Sequence, residues 1–128
     1  MSNRRWAASR PILTTSLCCV ALSTGAFAQP RPAYLIAEYE VIDAASMKKF
    51  GEASNPIVKA HGGQFVARRT NVTSVIGDAP KSVTVIMFES VAKATDYFQS
   101  AEYKAILPLR DAGAKFRSYI VESGDLAQ

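Results

Sequence analysis

Strand-like and helix-like stretches follow one another in this chain in an order that few folds accommodate. Ala33–Val41 (AYLIAEYEV) is apolar and aromatic and reads as a strand. Asp43 suits a helix N-cap. Met47, Phe50, Ser54, Ile57 and His61 then recur at steps of three and four, one face of an amphipathic helix. Asn55-Pro56 is expected to kink or break that helix near its last turns, and Gly62-Gly63 to stop it. A long second strand, polar in its middle, is expected from Gln64 to Ile76, ahead of the turn Gly77-Asp78-Ala79-Pro80. Lys81–Glu89 (KSVTVIMFE) is the clearest strand of the chain. Ser90 caps a helix carrying Val91, Ala94, Tyr97 and Phe98. Ser100 starts a further helical piece through Tyr103, Ile106 and Leu107, with Pro108 interrupting it. Lys115–Glu122 is the last strand.

The order β-α-β-β-α-β implies an α+β domain of the ferredoxin-like kind, with a four-stranded antiparallel sheet whose first and third strands are central. Those two strands are apolar on both faces. Leu35, Ala37, Tyr39 and Val41 share one side of the first strand, while Tyr34 and Ile36 take the other ahead of Glu38 and Glu40. The third strand sets Val83, Val85 and Met87 against Thr84, Ile86 and Phe88. Two helices cover only one face of such a sheet, and a solvated second face alternates apolar with polar residues. A second copy of the sheet is the simplest cover for the other face, so a homodimer is expected.

The first 28 residues stand apart from this pattern. Arg4, Arg5 and Arg10 make a basic opening, Ile12–Phe27 carries no charge, and Ala26-Phe27-Ala28 is a small-x-small cleavage pattern before Gln29-Pro30. That is the layout of a secretory signal. The apolar run falls short of the ~20 residues of a spanning helix. Cleavage after Ala28 is therefore expected, leaving no stable membrane anchor, a single domain over 29–128, and a periplasmic or secreted location. Asn3-Arg4-Arg5-Trp6 leaves twin-arginine export open beside the general route. Cys18 and Cys19, the only cysteines, leave with the leader, so the domain has no disulfide and no thiolate nucleophile or ligand. The chain has 15 Lys and Arg against 11 Asp and Glu, and three of the arginines lie in the leader. The domain is then close to neutral, which removes the electrostatic case for a nucleic-acid partner.

Candidate chemistry is sparse. His61, the single histidine, could act as a base, or could simply favour a helix C-terminus through its positive charge. One histidine and no mature cysteine do not make a coordination sphere, so neither a metal nor another cofactor is expected. Arg68 and Arg69 point to opposite faces of their strand. One of them could hold a carboxylate, although charge on an edge strand also guards against aggregation. Tyr97 and Tyr103 could hydrogen-bond a ligand or fill the core. Arg110 could clamp an anion or pair with a nearby acid. Glu38 and Glu40 share a strand face and could do acid–base work, or pair with a cross-strand base. Asn71-Val72-Thr73 is a glycosylation sequon, relevant only in a eukaryotic host.

Several short motifs carry a resemblance. They are Ala33-Tyr34-Leu35-Ile36, His61-Gly62-Gly63, Ala67-Arg68, the Gly77-Asp78 turn, Phe88-Glu89-Ser90, Tyr97-Phe98-x-Ser100-x-Glu102-Tyr103 and Leu107-Pro108-Leu109-Arg110. With them the chain resembles the domain of unknown function 1330 family, within the dimeric α+β barrel superfamily, from Ala33 to about Gly124. The resemblance implies a ferredoxin-like fold and a dimer whose two sheets face one another around a cavity. It implies no activity, and it includes His61, Arg68 and Arg110 in shared motifs. The chain departs from the family pattern at Arg69-Thr70, where two glycines are usual, and at Ala79, where an aromatic residue is usual. Three functions stay open: a small-molecule-binding protein for an apolar or anionic ligand, a cofactor-independent monooxygenase- or isomerase-like enzyme with His61 as base, and a structural or partner-binding dimer.

Overall fold

A computed structural model describes residues 30–124, so the leader and its cleavage site lie outside the described residues. The elements are β1 (Ala33–Val41), α1 (Ala44–Ala60), β2 (Gln64–Thr70), β3 (Ser82–Phe88), α2 (Val91–Gln99), α3 (Ala101–Gly113) and β4 (Ala114–Glu122). The strands form one antiparallel sheet in the order β2-β3-β1-β4, with β1 and β3 central. This is the ferredoxin-like α+β arrangement. No helix among the described residues is long and apolar enough to cross a membrane.

Short side-chain signals set the element ends. The Asp43 carboxylate accepts from Ser46 N at 2.8 Å and opens α1. At the other end Gly62, at φ +75°, donates to Lys59 O while Gly63 N donates to Val58 O, a Schellman closure that needs the left-handed residue glycine supplies. Ser90 Oγ caps α2 through Lys93 N. Ser100 closes α2 and opens α3, because its hydroxyl donates to Tyr97 O and accepts from Tyr103 N.

Three expectations need correction. Pro56 does not break α1, which runs on to Ala60, and Pro108 does not interrupt α3, which continues to Gly113. A mid-helix proline costs about 3 kcal/mol. Val58 beyond Pro56 is 1% exposed against the core, and full burial of such a side chain recovers ~1.5–3 kcal/mol. Beyond Pro108, Gly113 O accepts from Ile42 N and Asp43 N, which ties the end of α3 to the start of α1. The buried face of α1 is Met47, Phe50, Ser54 and Val58, with Ile57 only packed beside it. Finally, β2 stops at Thr70 rather than Ile76. Its register against β3 shifts twice, Thr70 already reaches Val83, and the partner strand begins at Ser82. Past that point Pro80, which lacks an N–H, precludes further ladder bonds.

The core lies between the helices and one face of the sheet. Leu35 and Tyr39 of β1, Ile86 and Phe88 of β3, and Phe116 and Ile120 of β4 meet Met47, Phe50 and Val58 of α1 and Tyr97 and Tyr103 of α2 and α3. The opposite face carries Tyr34 and Ile36, paired across to Met87 and Val85 on one side and to Val121 and Tyr119 on the other.

Candidate functional site

The aromatic side chains of the core do not close on one another completely. Between the sheet and the helices lies a narrow cavity of about 70 Å³, room for a few waters or part of a flat small molecule. It is within one chain and on the helix side of the sheet, opposite the face expected to meet a second copy. Leu35, Ala37 and Tyr39 form its floor from β1, Met47, Phe50 and Ser54 one wall from α1, and Tyr97, Phe98 and Tyr103 the other. Tyr39 stacks on Phe116 at 5.0 Å, with Phe50 edge-on to Phe116 at 5.8 Å. Tyr103 lies 4.7 Å from Tyr97 and 5.0 Å from Phe98, centroid to centroid. Rings held in offset and edge-on geometry present a rigid apolar surface.

The polar groups at this cavity differ in how far they are satisfied. The Tyr39 hydroxyl lies 3.4 Å from Thr84 Oγ1. The Tyr103 hydroxyl accepts from Arg110 Nη1 at 3.2 Å, and Arg110 is itself held by Asp111 at 2.7 Å. Tyr97 is 3% exposed as a residue, and its hydroxyl has no protein hydrogen-bond partner among the described residues. No fully buried side-chain polar atom there is left unsatisfied, so this oxygen still borders open space. Burial pushes the Tyr97 hydroxyl well above the usual tyrosine range and raises that of Tyr103, where the Arg110 guanidinium opposes it, so both stay protonated near neutrality.

Of the residues singled out beforehand, the structure brings Arg68, Tyr97 and Tyr103 to the cavity. Arg68 is at its rim, donating to Asn55 Oδ1 and standing 4.1 Å over the Phe65 ring. No carboxylate pairs with it among the described residues. Arg110 does not line the cavity and reaches it through the Tyr103 hydroxyl. His61 is also outside it. The imidazole sits at the C-cap of α1, edge-on to the far side of Tyr97 at 6.1 Å, beside Glu89, Lys93 and Asp96. Glu38 belongs to the opposite face, where its carboxylate accepts from Arg117 Nε at 2.9 Å and from the Tyr119 hydroxyl at 2.8 Å. Those two bonds hold it below the usual carboxylate range. It is therefore paired across the sheet, and Glu40 is exposed beside it. Phe50, Phe98 and Phe116 escaped notice as site residues, because a cavity wall and a packed core share one apolar periodicity.

Fold and cavity together define a ferredoxin-like α+β domain with an aromatic chamber between sheet and helices. The chain belongs to the family described as domain of unknown function (DUF1330), whose model matches residues 32–123. No curated protein matches it. Among solved structures, a protein of unknown function from Rhodopseudomonas palustris is similar, at 16% identity and a TM-score of 0.63, covering 74% of this chain and 84% of that one. SnoaB, a cofactor-independent oxygenase from Streptomyces nogalater, is similar at 8% identity and a TM-score of 0.55, over 74% of this chain and 95% of its own. A dimeric ferredoxin-like protein of unknown function from Bacteroides fragilis is similar at 12% identity and a TM-score of 0.50, over 72% and 96%. At these identities the likeness is one of fold.

Proposed function

We propose that the mature domain is an exported homodimer that binds a small, flat, largely apolar molecule in the chamber between its sheet and helices. The observation that carries this reading is an aromatic core left open around a cavity, with a phenol hydroxyl on its wall that borders open space and has no protein partner among the described residues. Interiors otherwise pack to the density of organic crystals, and an open space surrounded by rings forfeits dispersion energy unless something fills it. Concave, mostly apolar sites with a few polar groups are the usual form of small-molecule pockets. The apolar outer face of β1, β3 and β4 supports the dimer, as does the ferredoxin-like fold shared with a protein described as dimeric. The leader before Gln29 supports export. His61 lies off the chamber, so geometry favours binding over proton abstraction by that residue.

Native mass spectrometry of the protein recovered from its export compartment tests the reading in one spectrum. The expected result is a pair of chains starting at Gln29, each carrying extra mass. The variant Ala37→Leu, which fills the chamber floor, is expected to keep the pair and lose the extra mass. Wild-type chains without added mass, or a mass unaffected by Ala37→Leu, would contradict it.

A further inference from the structure

Two phenols share one end of the chamber, with centroids 4.7 Å apart on α2 and α3. A phenol hydroxyl donates one hydrogen bond and accepts up to two. The Tyr103 oxygen already accepts from Arg110, so its proton points elsewhere, and no acceptor among the described residues receives it. The Tyr97 hydroxyl has no partner of any kind among them. Both rings line the cavity side by side, so the two phenols stand on the same stretch of its wall. Arg110, held at its other side by Asp111, polarises Tyr103 toward donating. Arg68 at the rim adds a second positive charge and no acceptor. The chamber is therefore mostly apolar, with the hydroxyls of Ser54, Thr84 and Ser118 also in its lining, and beside its two helix-borne phenols it offers donors and positive charge.

We propose that the Tyr97 and Tyr103 hydroxyls form a paired donor for one ligand oxygen, so that the chamber selects conjugated carbonyl compounds over hydrocarbons of the same shape. This rests on the chamber being the binding site and goes further by naming the ligand class. The ring stack receives the flat apolar body, and the two phenol protons converge on the carbonyl oxygen. Arg110 acts through Tyr103 as a positioning residue.

The test compares acetophenone with α-methylstyrene, which replaces the carbonyl oxygen by a CH₂ of nearly the same shape. Affinities of the mature wild-type protein for both are read by ligand-observed NMR titration, beside Tyr97→Phe, Tyr103→Phe and the double variant. The wild type is expected to prefer the ketone by about tenfold, the worth of one to two hydrogen bonds made in place of bonds to water. Each single variant should cut that preference, and the double variant should abolish it while binding α-methylstyrene as the wild type does. Retained hydrocarbon binding shows that fold and chamber are intact. Equal wild-type affinity for the two probes, or a preference that survives the double variant, overturns the donor pair and leaves the chamber reading standing. Failure of both probes to bind the wild type overturns the chamber reading and the donor pair with it.

Discussion

Gly113 shows how little room single residues have in the frame around the chamber. A Cβ there would lie 2.7 Å from Met47 N and 2.9 Å from Met47 Cα, so the conflict is with backbone rather than a movable side chain. The backbone cannot withdraw cheaply, because Ile42 N and Asp43 N both bond to Gly113 O. Gly113→Ala is expected to cost about 1–3 kcal/mol, the range of an overpacked core. Urea unfolding would read this as a lower midpoint at unchanged slope, and an unchanged midpoint would refute the close approach. At the same scale the buried tyrosines could be shortlisted from sequence but not assigned. Tyr97 and Tyr103 fit a helix face that serves core and pocket equally, and only the missing partner of one hydroxyl separates the two roles.

Among elements, those whose signals are local were legible in the sequence. β1 has the bounds its apolar run implies, and Asp43, Ser90 and Ser100 cap the helices they were expected to cap. The misread elements are those where tertiary packing overrides a local rule. Pro56 and Pro108 are strong helix breakers in isolation, yet α1 and α3 continue past them because Val58 and Gly113 are held in the core beyond. β2 ends early for a reason that lies in its partner strand and not in its own residues. Since the α1 backbone is already helical at Pro56, Pro56→Ala restores an N–H facing the Glu52 carbonyl. The variant is expected to gain about 2–2.5 kcal/mol, the helix-interior penalty less the stiffness proline gives the unfolded chain. Calorimetry would show the gain as a higher Tm, and a lower Tm would mean that the proline fits a kink the packing needs.

Across the whole molecule, the two faces of the sheet differ in what they meet. The helix side encloses the chamber, and the outer side offers Ile36, Val85, Met87 and Tyr34 around the Glu38–Arg117–Tyr119 cluster. That the outer face of the central strands is apolar was legible from the alternation of residues along them. The chamber was not, because a cavity inside one chain depends on how far apart the rings of three helices and three strands come to rest. Val85→Glu places a carboxylate opposite Ile36 in the centre of the outer face. It is expected to turn a dimer into a folded monomer in sedimentation, whereas an unchanged mass would mean that the copies meet elsewhere.

The division of the sheet is tested most directly by asking which side a bound aromatic molecule touches. Intermolecular NOEs from acetophenone to assigned methyl groups distinguish Leu35 and Ile86, which face the helices, from their neighbours Ile36 and Val85, which face away. Contacts to Leu35 and Ile86 are the predicted result. Contacts confined to Ile36 and Val85 would move the site to the outer face and contradict the chamber as the place where this protein works.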